Sequence, residues 1–201
     1  TAEANGSNVY TRSYNKIYQL LKDISNNHGH LFDRHTSIDR HKLSQKKQII
    51  FDFKHLSISS EKALMGQFIN AFSFGEGELK DGDVLIIHGM DLMTPTVCDF
   101  LQLRFRQLQQ RGVKVVLLYE EADIMLSKEP QHKQHNRWFE NADVRLTNPM
   151  TNSSLHQYSN ILHVTLPDSV KQGMSGTDRY VYLLNRSQNR ESILFNWDIV
   201  L

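Results

Sequence analysis

The sequence predicts an α/β fold: a mostly parallel sheet with helices on both faces, three layers in all, closed by a C-terminal β-hairpin. Three observations carry that prediction. Two short apolar runs, Val84–Ile87 and Val113–Leu118, are rich in β-branched residues and too short for buried helices. An amphipathic helical pattern lies between them, which makes a β-α-β unit of parallel strands joined by a right-handed crossover. Near the end of the chain, Arg179–Leu184 and Ser192–Trp197 alternate around a polar turn, as a hairpin does. Runs apolar at every position imply strands covered on both faces. In open sheets of this kind, ligands bind just past the carboxyl ends of the strands. The sequence puts His88, Gly89 and Asp91 at one such end and Tyr119, Glu120, Glu121 and Asp123 at the other.

Composition narrows the class. A chain of 201 residues, 39% hydrophobic and 22% charged, has the length and balance of one globular domain with a full core. A net charge of +1 provides no global field toward nucleic acid or membrane, so any such binding needs a local patch. A single cysteine, Cys98, rules out an internal disulfide framework and a four-cysteine zinc site. It reads as a small core residue of the central helix rather than a nucleophile. No apolar run approaches the ~20 residues of a membrane span, and no signal peptide is visible. Residues 1–9 read as a polar linker or cloning scar, residues 10–201 as one domain, and the whole as a piece of something longer.

The elements follow in order. Tyr10–Ser25 spaces Tyr14, Ile17, Tyr18, Leu20, Leu21 and Ile24 as an amphipathic helix ended by Asn26, Asn27 and Gly29. His28 and His30 have no third ligand close by and read as solvated. His30–Leu43 is dense in charge and reads as a loop with an extended piece near Thr36–Ile38. Gln48–Phe53 reads as a central strand whose Asp52 caps the following turn. Ser60–Phe74 is a helix with Ala63, Leu64, Phe68, Ala71 and Phe72 on its buried stripe. Gly75–Asp83 is a polar loop, and its Gly75-Glu76-Gly77 is not a phosphate loop because a strand follows it. Thr94 caps the central helix with Pro95 in its first turn. Arg104, Arg106, Arg111 and Lys114 lie on or near that helix. They read as a solvated basic face, with contact to a subunit or nucleic acid as the alternative. Ile124–Leu126 is an apolar turn, and Ser127–His135 a polar loop whose His132 and His135 read as surface residues. Arg137–Ala142 ends a helix and Asp143–Leu146 is a short fourth strand. Ser153–Leu162 is a helical turn or two, Asp168 opens a short helix with Val170 and Met174, and Gly173–Asp178 turns into the hairpin.

A family resemblance rests on the succession of these patterns. Strands and helices alternate as in the core of a RecA-like P-loop NTPase. The passage HGHLFDRHTSIDRHKLSQKKQIIFDFKHLS resembles one in the CagE/TrbE/VirB family of conjugation and type IV secretion ATPases. There a "G-x-L-F-x-x-x-T-x-I-D" phrase leads to a strand ending "F-D-x-x-x-L". Gly29, Leu31, Phe32, Thr36, Ile38, Asp39, Phe51, Asp52 and Leu56 match it. Later, Asn141, Ala142, Asp143 and Leu146 match a looser "N-A-D-x-x-(I/L)-L". Between them the resemblance implies a Walker B strand at Val84–Gly89 and a sensor strand at Val113–Glu121.

The departures from the family decide the functional expectation. No G-x-x-x-x-G-K-(S/T) phosphate loop occurs in the sequence. His88-Gly89 stands where the family has Asp-Glu, and neither residue supplies the carboxylate that holds magnesium or activates water. Tyr119, Glu120 and Glu121 occupy the sensor position. Read as a shifted Walker B, they would offer Glu120 as base with Tyr119 in place of the Asp, still without a phosphate cradle. The expectation is therefore a RecA-like lobe with a degenerate nucleotide site. It has no catalytic residue, metal or cofactor of its own and serves as a structural, docking or cargo-recognition module. Its implied partners are other subunits of a bacterial secretion or conjugation machine, in a hexameric ring at the cytoplasmic face of the inner membrane. Two alternatives stand beside it: a fragment of an active ATPase whose Walker A loop lies upstream, and a nucleic-acid-binding module.

Overall fold

The computed structural model describes residues 14–19, 21–23, 25, 26, 29, 38–54, 61–176, 181–187 and 191–196. The chain divides into two compact units, Thr1–Glu78 and Leu79–Leu201. Leu20, Ile24, His28, Leu56, Ser60, Trp197 and most of the expected loop His30–Leu43 lie outside the described residues.

In the first unit the expected N-terminal helix is present, with residues 14–19, 21–23, 25 and 26 helical; Gly29, expected with Asn26 to end it, is helical too. Its stripe of Tyr14, Ile17, Tyr18 and Leu21 is exposed. Where a loop is expected, Arg40–Ser44 forms a short helix, α1. Asp39 nucleates it by accepting from the His41 N–H at 2.9 Å, a cap hidden in the charge-dense sequence.

The strand expected at Gln48–Phe53 does not form. The segment is unpaired backbone, and Ile50 is 75% exposed. An apolar run specifies extended chain, but a strand also needs a neighbour to complete its ladder. Here side chains do the anchoring. Phe53 meets Phe68 edge-on at 6.2 Å, and Phe51 lies against Gly75, where a Cβ would be 3.3 Å from its ring. Asp52 caps the next turn as expected, accepting from the Lys54 N–H at 2.8 Å. The helix carrying Phe68 and Gly75, α2, spans Glu61–Glu76 and buries Ala63, Met65, Phe68 and Phe72.

The second unit opens on the β-α-β unit. Strand β1 (Val84–His88) and strand β2 (Lys114–Leu118) pair in parallel, Val84 opposite Lys114 and His88 opposite Leu118. The crossover helix α3 spans Pro95–Gln110. Thr94 caps it as expected, with Pro95 in its first turn, and Val97, Cys98, Leu101, Phe105 and Leu108 form its buried stripe. Gly112 closes the helix at φ +81, a left-handed turn, with the Asp81 side chain filling the space a Cβ would occupy. The expected burial of both faces of this pair is not observed. Val84, Ile86, Val116 and Leu118 share one face and are 38–60% exposed.

Helix α4 (Ala122–Leu126) replaces the expected apolar turn. The expected polar loop Ser127–His135 contains a 3-10 turn at Pro130–His132 and the start of helix α5, Lys133–Asn141. Strand β3 is Val144–Thr147, helix α6 is Asn152–Leu162 and helix α7 is Asp168–Met174. Gly173, expected in a turn, sits inside α7. Thr151 caps α6 by accepting from the Ser154 N–H at 3.1 Å, and the helix runs three turns rather than one or two. Strands β4 (Val181–Arg186) and β5 (Glu191–Asn196) form the expected antiparallel hairpin. β4 also pairs antiparallel with β3. The described strands therefore form two sheets, β1-β2 parallel and β3-β4-β5 antiparallel, rather than one mostly parallel sheet.

The core of this unit gathers Leu126, Phe139, Leu155, Tyr158, Leu166, Val170, Met174 and Leu183. One charged residue is buried beside it. On β3 the apolar Val144 and Leu146 point outward, while Arg145 and Thr147 point inward, and Arg145 is only 6% exposed. Its guanidinium donates to Phe139 O at 2.6 Å, Asn185 Oδ1 at 2.9 Å, Ser187 Oγ at 2.7 Å and Glu140 O at 2.5 Å. Its carbon Cζ also lies 5.5 Å from the Phe139 ring centre. Lysine has one donor group and no fork, so it cannot hold partners on α5, β4 and the following turn together. Arg145→Lys is expected to cost about 3 kcal/mol, the scale of losing charge-assisted hydrogen bonds and orphaning their acceptors. Urea unfolding checks it; a loss below about 1 kcal/mol contradicts this account of the buried charge.

Candidate functional site

The carboxyl ends of β1 and β2 lie side by side, so the residues expected there meet. His88 ends β1 and is exposed. Gly89 follows at φ +79, in the left-handed region, and turns the chain into the 3-10 turn Met90–Leu92. That turn buries Met90 completely and aims Asp91 back across the strand ends. Asp91 Oδ1 accepts from the Glu120 N–H at 3.1 Å. The expected Walker B and sensor segments are thus tied by a carboxylate and a backbone amide. Glu120 and Glu121 are exposed, and Glu121 precedes α4 without capping it through its side chain. Asp123, one turn on, accepts from the Ser154 hydroxyl at 3.0 Å and so joins α4 to α6.

The basic residues do not converge on one patch. Arg104 lies over the Phe100 ring at 5.4 Å. Arg106 is exposed and, two residues on, is rotated about 200° around the helix from Arg104. Arg111 donates to the Leu79 carbonyl, and Lys114 is exposed at the start of β2, the end opposite the expected site.

Beneath the strand ends the structure assembles a cluster the sequence did not announce. His135, expected on the surface, is 2% exposed. Its Nε2 lies 3.3 Å from Cys98 Sγ and its Nδ1 3.0 Å from the Tyr119 hydroxyl. Trp138 packs edge-on against the imidazole at 5.6 Å and also contacts Phe105. The signal that would have placed His135 inside is its spacing from Phe139: four residues on a helix share one face. Cys98 is fully buried, as the core reading of it required.

A cysteine beside a histidine invites a nucleophile reading, but the electrostatics oppose it. Burial, aided by Asp99, pushes the Cys98 thiol up to about 12. Burial and the neighbouring His132 lower the His135 imidazole, and burial raises the Tyr119 phenol. Each group is therefore held in its neutral form, which is a hydrogen-bonded linkage rather than an ion-pair dyad. Among the described residues no three His, Cys, Asp or Glu side chains are arranged to hold a metal. Nor is any helix among them long and apolar enough to cross a membrane.

No protein-family model and no curated protein sequence matches the chain. A solved structure does. VirB4 of Thermoanaerobacter pseudethanolicus superposes with a TM-score of 0.77 over 98% of this chain, at 14% identity. The chain has a VirB4 fold. It spans 53% of that VirB4 chain, about half its length. The likeness in fold takes in both the β-α-β unit and the closing hairpin, and it agrees with the family resemblance read from the sequence.

The thiol provides a direct check. At pH 8 an aromatic disulfide reagent should label native Cys98 at least ~1,000-fold more slowly than an ordinary thiol, because its thiolate fraction is that much smaller. Labelling should reach the ordinary rate in urea. Rapid labelling of the folded chain would contradict the closed, neutral cluster.

Proposed function

We propose that this chain is a RecA-like lobe of a type IV secretion or conjugation motor whose own strand tips do not process nucleotide. The observation that carries the reading is the pairing of a VirB4 fold with the chemistry at the β1 and β2 ends. His88-Gly89 stands where such a motor needs adjacent carboxylates, and the nearest acid, Asp91, is engaged with the Glu120 amide. Magnesium held for phosphoryl transfer requires carboxylate or hydroxyl oxygens beside a phosphate cradle. His88 supplies a nitrogen and Gly89 no side chain at all.

On this reading the scaffold serves contact rather than catalysis: docking a neighbouring subunit, stabilising a ring or presenting a surface to cargo at the cytoplasmic face of a bacterial membrane. The separated placement of Arg104, Arg106 and Lys114 favours subunit contact over a nucleic-acid groove, which would need its cations aligned along one track.

The test is binding. A ligand at 100 times its dissociation constant stabilises a protein by about 2.7 kcal/mol, which for a chain of this size raises Tm by roughly 5–10 °C. Millimolar ATP with magnesium is expected to leave Tm unchanged, and His88→Asp/Gly89→Glu is expected to gain no hydrolysis without a phosphate loop. A Tm rise of several degrees with ATP-magnesium, absent in Asp91→Ala, would overturn the degenerate-site reading.

A further inference from the structure

The His135 cluster sits at a junction of four segments, and both ends of the helix that carries it are held by polar groups of the second unit. At its end, α5 is held by Arg145, which bonds the carbonyls of Phe139 and Glu140. Near its start, it is held by His135 against Cys98 of α3 and Tyr119 at the end of β2. Between these, Asn136 donates to the Met125 carbonyl and Trp138 packs on Phe105. We propose that His135 is a pH-sensitive latch, and that its protonation lets the start of α5 and the preceding 3-10 turn open away from α3 while Arg145 keeps the far end fixed.

The chemistry follows from donor and acceptor counts. Cys98 and Tyr119 can each give or accept one hydrogen bond, so a neutral imidazole is satisfied in either tautomer. Imidazolium has two donors and no acceptor. Both partners must then accept at once; the Cys98 thiol can keep its hydrogen on the Met93 carbonyl, 3.8 Å from Sγ, but the displaced phenol hydrogen needs a new acceptor at a part-buried site. The surroundings give the cation little help. From the turn after β1 comes Asp91, already bonded to the Glu120 amide. From α3 comes the Cys98 thiol with Asp99 beside it, and from the end of β2 the neutral Tyr119. From the 3-10 turn comes His132, a second base whose ring centre is 6.2 Å from that of His135 and whose nearest carboxylate oxygen, on Glu129, is 3.8 Å away. The Met93 carbonyl and Asp91 favour the charged ring, but burial and His132 outweigh them, and the imidazole is lowered in consequence.

The sign is fixed by linkage. The closed state holds His135 neutral, and the open state titrates at the ordinary histidine value of about 6.5. Below that pH the open state binds more protons, so acid favours opening until the lowered closed-state value is reached. Above it the latch is indifferent to pH.

Cys98 is the only cysteine and is buried behind the latch, so it reports the opening directly. The experiment measures labelling of the whole chain by a pyridyl disulfide that reacts at acid pH, with far-UV circular dichroism recorded in parallel. The rate, divided at each pH by that of the urea-unfolded chain so that the intrinsic pH dependence of thiol and reagent cancels, is expected to rise by up to about tenfold per pH unit below ~6.5, with helix content unchanged. His135→Gln should label at a rate independent of pH, while His132→Gln should keep the acid rise. The proposal is overturned if the wild-type rate stays flat, if the rise persists in His135→Gln, or if it follows loss of helix. Should His135→Gln fail to fold, the imidazole resonances of the wild type decide. His135 must titrate below 6.5 with the midpoint of labelling, and titration at or above the ordinary value overturns the latch.

Discussion

A buried guanidinium with no ion-pair partner among the described residues is the constraint on which the antiparallel part of the second unit depends. Arg145 stays charged at any pH the protein meets, so its five N–H donors must find oxygen. Four bonds from it reach oxygen on three separate segments: the end of α5, the side chain of Asn185 on β4 and Ser187 just beyond. Ser187 in turn donates to the Ala142 carbonyl, and its own N–H bonds the Asp143 carbonyl, which closes the ring around the cation. The register of β3 against β4 follows from this. Arg145 faces Asn185 across the ladder, and a slip of one residue would put the charge on the outer face and Val144 inside. Hydrophobic burial alone favours that slipped register; the four hydrogen bonds of the guanidinium oppose it.

The strand tips of β1 and β2 obey a related rule with a different outcome. The polar groups there are turned on each other. Asp91 reaches the Glu120 amide, and Tyr119 turns down to His135 instead of up into solvent. The parallel pair keeps its geometry because that geometry rests on α3, whose buried stripe and Thr94 cap do not involve the tips. The strand pair is thus held by apolar burial of a single helix face and not by the polar groups at its tips.

What the sequence made legible was whatever short-range physics decides. The β-α-β unit was readable because β-branched runs flank a helical period with a Thr-Pro start, and the closing hairpin because its residues alternate around a polar turn. The failed strand at Gln48–Phe53 shows the limit: its apolar run was visible, but pairing depends on a neighbour that no local pattern encodes. The inward Arg145 was invisible for the same reason, since its partners lie up to 42 residues away. In the candidate site, Asp91, Tyr119 and Glu120 were placed correctly at the strand ends. His135 was misread because a histidine in a polar run looks solvated until the 37-residue contact with Cys98 is known.

Helix α5 is where these strands of argument meet. It is short and rich in polar residues, and by composition it is a poor candidate for a core element. Yet its buried face carries Gln134, His135 and Phe139, and only the last is apolar. A helix of nine residues is too short to be stable on its own amide bonds, so its place must be specified from outside. Two devices do this, and they differ in kind. Arg145 binds carbonyls that α5 leaves unpaired at its end, a bond set that no ordinary change of pH disturbs. His135 binds through an imidazole that burial keeps neutral and that acid can protonate. One end of the helix is therefore held permanently and the other conditionally, and that asymmetry follows from the two side chains alone.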